Sequence, residues 1–95
     1  MKKSMFPLGR RCWTRGVNDL VVDSKVFAKF VLQSLRRHAR GDWGDMCPED
    51  KAANNEALSL GNRLFSAYEH TALPKIWIIT EADRSVTTIL FPEEY

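Results

Sequence analysis

Between Lys75 and Phe91 the chain reads Lys75-Ile76-Trp77-Ile78-Ile79-Thr80-Glu81-Ala82-Asp83-Arg84-Ser85-Val86-Thr87-Thr88-Ile89-Leu90-Phe91. Two runs rich in β-branched and aromatic residues, Lys75 to Glu81 and Ser85 to Phe91, flank the polar turn Ala82-Asp83-Arg84. Side chains alternate across a strand, so this pattern predicts an antiparallel β-hairpin. The first run is apolar on both sides, with Trp77 and Ile79 on one and Ile76 and Ile78 on the other. A strand buried on two faces needs cover on both. Helices supply one cover; an N-terminal arm, a twin subunit or a partner supplies the other. An uncovered apolar strand is an association liability, which points to a homodimer or an obligate partner.

Upstream of the hairpin the apolar period is helical. Over roughly 24–40, Val26, Phe27, Phe30, Val31 and Leu35 share one face, Asp23 or Ser24 can cap the start, and Gly41 suits a left-handed stop. Pro48 opens a second helix over roughly 48–69, with Glu49 and Asp50 in its first turn and Ala53, Ala57, Leu58, Leu60, Leu64, Phe65 and Tyr68 on one arc. Gly61 lies inside that arc, as a close helix crossing or as a break into two helices. Trp43 plugs the loop between the helices. Before them, residues 1–11 read as a basic arm interrupted by Pro7 and Gly9, 11–14 as a short strand, and Val17 to Val22 as a brief helical turn capped by Thr14. The expectation is a single α+β domain over 1–95. Two antiparallel helices pack on a small antiparallel sheet that ends in the hairpin. The predicted core is Val26, Phe27, Phe30, Val31, Leu35, Ala57, Leu58, Leu64, Phe65, Ile76, Ile78 and Val86.

Composition excludes several classes. Ninety-five residues, 44% hydrophobic and 27% charged, suit one globular domain and not a disordered tail. The longest uncharged apolar run, Ile76 to Thr80, falls far short of the ~20 residues that cross a bilayer. No apolar stretch of the signal-peptide kind follows the basic Met1 to Met5, so a cytoplasmic protein with no membrane partner is expected. Cys12 and Cys47 cannot build a disulfide scaffold or a four-cysteine zinc site, and each reads as an inert buried thiol.

Charge is polarised. Residues 1–40 carry ten Lys and Arg against two acids, while 41–95 carry four against ten, so the net +2 hides halves of +8 and −6. The halves either neutralise each other on folding or present a cationic face. At ~100° per residue, Lys25, Lys29, Arg36 and Arg40 form a stripe opposite the apolar face of the first long helix. Arg10, Arg11, Trp13 and Arg15 interleave cations with an aromatic ring, a combination that can stack bases and hold phosphates. With Trp77, Asp83 and Arg84 on the hairpin, these are the candidate binding residues. Asp42, Asp45, Glu49 and Asp50 crowd an acidic counterpart that either steers a basic partner or only complements a helix dipole.

His38 sits at the centre of the apolar arc, one turn from a helix C-terminus that favours its protonated form. With Asp42, Asp45 and Asn54 it reads as a buried polar network, completed by Trp43, that locks the helix–loop–helix geometry. A general-base or metal site on His38 and Asp45 is the competing reading. No glycine-rich phosphate loop, HExxH or CxxC occurs. The expectation is therefore no enzyme, no cofactor and no metal.

Three segments carry a resemblance: His38-Ala39-Arg40-Gly41-Asp42-Trp43-Gly44-Asp45, Gly61-Asn62-Arg63-Leu64-Phe65-Ser66-Ala67-Tyr68, and Trp77 to Ser85 continuing through Thr87-Thr88 to Pro92-Glu93-Glu94-Tyr95. Together they resemble a family of small bacterial proteins labelled plasmid-related, over about Thr14 to Tyr95. The resemblance implies carriage on plasmids, phages or integrated elements and brings no catalytic residues with it. A restriction–modification subunit label used in that family does not suit a chain too short for a methyltransferase domain. The expected function is a non-catalytic binding protein of a mobile genetic element, acting by contact with a host protein or protein–nucleic-acid complex. Inhibition of host defence, of the anti-CRISPR or anti-restriction kind, follows from that context. The alternative is a nucleic-acid-binding accessory protein that grips DNA or RNA with the basic face of residues 1–40.

Overall fold

The computed structural model describes residues 4–95. Its elements are β1 (Arg10–Trp13), α1 (Arg15–Asp23), α2 (Lys25–Ala39), α3 (Pro48–Leu60), β2 (Leu64–His70), β3 (Leu73–Thr80), β4 (Val86–Leu90) and a 3-10 turn, Pro92–Glu94. The fold is α+β, with one four-stranded sheet in the order β1-β4-β3-β2. The sheet is mixed, not purely antiparallel: β2, β3 and β4 pair antiparallel, and β1 joins β4 in parallel with Arg10 opposite Val86.

Local chemistry sets the helix boundaries. The Thr14 hydroxyl accepts from the Val17 amide, and the Ser24 hydroxyl from the Phe27 amide, so each starts a helix by satisfying an orphan donor. Instead of a brief turn over Val17 to Val22, α1 runs through nine residues. Gly41, in the left-handed region, follows the end of α2, and Pro48 occupies the first turn of α3.

The expected helix over 48–69 stops at Leu60. Gly61 adopts φ +74°, a left-handed C-terminal cap, and after Arg63 the chain turns into a strand. In that strand Leu64, Ser66 and Tyr68 alternate inward and are fully buried. The spacing of Leu64, Phe65 and Tyr68 suits a helix arc, but pairing with Thr80, Ile79 and Ile76 of β3 decides for the strand.

Two apolar clusters form the core. Val17, Phe27, Phe30, Val31, Tyr68, Ile76, Ile78 and Ile89 fill the space between the sheet and the α1–α2 pair. Phe6, Leu8, Ala39, Trp43 and Leu64 form the second cluster, with Leu35, Ala57 and Leu58 against it. The described part of the expected arm is therefore folded in. Phe6 and Leu8 are each 6% exposed, and the Met5 amide donates to the Ala39 carbonyl. Lys2 and Lys3 lie outside the described residues. Val26 is 61% exposed and leaves the predicted core, because the buried arc of α2 runs Phe27, Phe30, Val31, Ser34 and His38. Phe65 and Val86 are only half-buried and face the sheet's second side. On that side Phe65 of β2 packs edge-on against Trp77 at 4.8 Å between ring centroids, and Tyr95 covers part of the face by packing edge-on against the same ring at 5.6 Å.

Candidate functional site

His38 is 0% exposed and both its ring nitrogens are engaged, Nδ1 with Ser66 Oγ at 2.6 Å and Nε2 with Thr80 Oγ1 at 2.8 Å. Thr80 Oγ1 lies 2.8 Å from Thr87 Oγ1, which donates to the Leu8 carbonyl at 2.7 Å. A hydroxyl donates one proton, and this fixes the whole direction. Thr87 spends its proton on Leu8, so Thr80 donates to Thr87 and must accept from Nε2–H. Nδ1 is then the acceptor, and Ser66 donates to it. The imidazole is neutral. Burial, reinforced by the positive charge of Arg84, pushes its pKa down to about 3. The helix-dipole expectation of a favoured imidazolium is overturned, because desolvation in a closed core outweighs a terminal dipole.

The expected network around His38 separates into independent parts. Asp42 takes a two-point grip from Arg37, at 2.8 and 3.2 Å, and accepts from the Gly44 amide. The Arg37 guanidinium holds the Asp42 carboxyl below its ordinary pKa. Asp45 accepts from the Glu69 amide, Trp43 Nε1 donates to Asn55, and the Asn54 amide group bonds both main-chain groups of Phe65. None of these side chains hydrogen-bonds His38; of the expected network only the Trp43 ring touches it, edge-on at 5.6 Å between centroids, with Phe6 on it likewise at 5.4 Å. Among the described residues no three His, Cys, Asp or Glu side chains converge as metal ligands do. Cys47 is exposed, not buried. The Asp50 amide lowers its thiol pKa, but the Asp50 and Glu49 carboxylates and desolvation reverse this to a net rise.

A concave feature of the surface lies elsewhere. A groove of about 610 Å³ runs between α2 and β1, lined by Arg11, Cys12, Trp13, Val21, Ala28, Val31, Leu32, Leu35 and Ile89. Its volume falls in the ~300–1,000 Å³ range of sites that receive a ligand. Its rim exposes apolar surface: Trp13 is 44% and Leu32 48% exposed. Trp13 is held in place by Nε1 donating to Asn18 at 3.0 Å.

Cations border this groove. Arg11 lines it, Arg10 and Arg15 flank it in sequence, and on α2 Lys25, Lys29 and Arg36 follow Ala28 and Leu32 around the helix toward solvent. Lys25, Lys29, Arg36 and Arg40 are all exposed. Among the described residues the ion pairs are Arg37–Asp42, Arg63–Glu81 and Lys75–Glu69. Only the first joins the basic and acidic halves, so folding does not neutralise the basic face.

The hairpin candidates do not join it. Trp77 lies on the opposite side of the sheet, and Asp83 accepts from the amide and hydroxyl of Ser85. Arg84 is a tie rather than a free cation, since it donates to the Asn62 and Glu81 carbonyls and lies over the Phe6 ring. Sequence reasoning found the cations and Trp13 but missed Val21, Ala28, Leu32 and Ile89. The available signal was Leu32, a large apolar residue off the core arc of α2. The expectation of no membrane partner stands beside one structural fact: no helix among the described residues is long and apolar enough to cross a membrane. Compared with protein-family models, with curated proteins and with solved structures, the chain gives no significant match to any.

Proposed function

We propose that this protein is a non-catalytic binding module that docks a partner protein in the groove between α2 and β1. The observation that carries this reading is the pairing of exposed apolar surface, Trp13 and Leu32, with cations along both lips that have no ion-pair partner among the described residues. Interfaces of this kind take their energy from a few anchored apolar and aromatic side chains and their selectivity from charge at the rim. On the resemblance to plasmid-related proteins, the partner belongs to the host's defence machinery, and the module acts by occupying its surface. No chemical step is assigned to any side chain, because the one buried histidine is closed to substrate.

Affinity capture tests the reading. The tagged chain and its Leu32→Asp variant are passed over a nuclease-treated bacterial lysate. Leu32 is half exposed, so the variant folds, which circular dichroism checks. The wild type retains a reproducible protein that the variant loses by at least tenfold. Retention by both, or recovery of nucleic acid alone from untreated lysate, rejects the proposal. In the latter case Lys29→Glu and Arg36→Glu abolish a steeply salt-dependent gel shift, and the nucleic-acid reading takes its place.

A further inference from the structure

The two edges of the sheet are treated differently. Along β2 every outward main-chain group from Phe65 to the Glu69 amide has a partner. Asn54 bonds the amide and carbonyl of Phe65, the Trp43 carbonyl and Asp45 amide bond those of Ala67, and the Asp45 carboxylate takes the Glu69 amide. Along β1, the Arg10 amide donates to Ser85 at 2.8 Å and the Thr14 amide to Ile89 at 3.1 Å. In a parallel ladder alternate residues bond the same neighbour. Arg10, Cys12 and Thr14 therefore face β4, while Arg11 and Trp13 turn their N–H and C=O groups out of the sheet. No partner for these outward groups exists among the described residues. The open edge and the apolar groove are adjacent, because the side chains of Arg11 and Trp13 line that groove.

We infer that the partner binds as a fifth strand. An extended, acidic-and-apolar segment of the partner protein pairs with the outward main chain of Arg11 and Trp13. Its inward side chains, alternately apolar, drop between Val21, Leu32 and Leu35. Its outward and flanking acids meet Arg10, Lys29 and Arg36. This rests on the docking role proposed above and specifies the occupant. Strand addition draws affinity from main-chain bonds and selectivity from the pockets that receive every second side chain. Two other occupants fit less well. A second copy pairing edge to edge crowds the adjacent Arg10 and Arg11 of one copy toward those of the other, and like charges close across a ladder destabilise it. A nucleic acid strand has no alternating row of amide donors, and its phosphates gain nothing from a groove walled by Val21, Ala28, Val31 and Leu35.

The test uses the isotopically labelled full chain and a synthetic octapeptide alternating Val or Ile with Glu. Saturable binding, at least tenfold slower exchange of the Arg11 and Trp13 amides, and at least tenfold weaker binding of the same peptide with Lys for Glu are expected. N-methylation of the peptide amides that face β1 weakens binding at least tenfold. Arg11→Pro does the same beyond the effect of Arg11→Ala, since proline on an edge strand removes only an outward N–H. If Arg11→Pro fails to fold, the N-methylated peptide decides alone. Unchanged affinity on N-methylation, absent amide protection, or displacement by oligothymidylate overturns strand addition. Lysate capture that remains sensitive to Leu32→Asp while the peptide fails rejects the strand and leaves the docking module standing; loss of both rejects both.

Discussion

His38 is held neutral by its surroundings, and that makes stability depend on pH with a defined sign. The unfolded imidazole takes a proton near pH 6.5, whereas the native one resists until about pH 3. Between those values the unfolded state binds more protons, so stability is complete above pH 6.5 and falls as the solution is acidified. The expected loss from this group between pH 7 and pH 5 is about 2 kcal/mol. His38→Gln, which cannot titrate, lowers stability at pH 7 by roughly 1–3 kcal/mol through imperfect pairing of Ser66 and Thr80. It also flattens the dependence between pH 7 and pH 5. Urea denaturation at both values measures both effects, and a wild-type midpoint that does not move between them contradicts a neutral buried imidazole. The choice of pH window matters, because Asp42, Asp83 and Glu94 have carboxyls held below their ordinary pKa by Arg37, Ser85 and Thr14 and lose their partners only at lower pH.

Two left-handed glycines hold turns of this fold, and for different reasons. Gly61, at φ +74°, caps α3 with open space around it, so Gly61→Ala meets only the backbone cost of a left-handed residue, about 1 kcal/mol. Gly44, at φ +80°, has the same backbone preference, and an added Cβ there collides with the Ala67 carbonyl and the Tyr68 ring. Gly44→Ala is expected to cost about 3 kcal/mol or more, because the 43–45 loop must lift off the β2 edge that it seals. Thermal unfolding of the two variants separates the cases, and equal shifts contradict this account. The same contrast marks what the sequence made legible. The caps at Thr14 and Ser24, the stop at Gly41 and the start at Pro48 were readable, since each depends on neighbours within four residues. The strand after Gly61 was not. Leu64, Phe65 and Tyr68 satisfy a helical arc as well as a strand, and only pairing with β3 separates the two.

At the scale of the whole molecule, the unreadable features all depend on contacts between distant parts of the chain. Arg10 meets Val86 in the parallel pairing, Phe6 and Leu8 close a core cluster with Leu64, and the groove exists only because β1 stands beside α2. Its cations were visible as a stripe, yet the apolar wall beside them was not, because Ile89 and Val21 join it from separate elements. This arrangement leaves one edge sealed by Asn54, Trp43 and Asp45 and the other guarded by charge alone. Arginine on an edge strand keeps unpaired main chain from pairing with another copy. Removing that charge should therefore release self-association at β1 and nowhere else. The Arg10→Val, Arg11→Val double variant is expected to form a concentration-dependent dimer in sedimentation velocity at micromolar protein, under salt conditions where the wild type sediments as a single lighter species. Adding Trp13→Pro to the double variant removes an outward N–H from the new interface and returns it to the lighter species. A double variant that sediments like the wild type, or one whose dimer survives the proline, means that the β1 edge is closed by something other than its arginines.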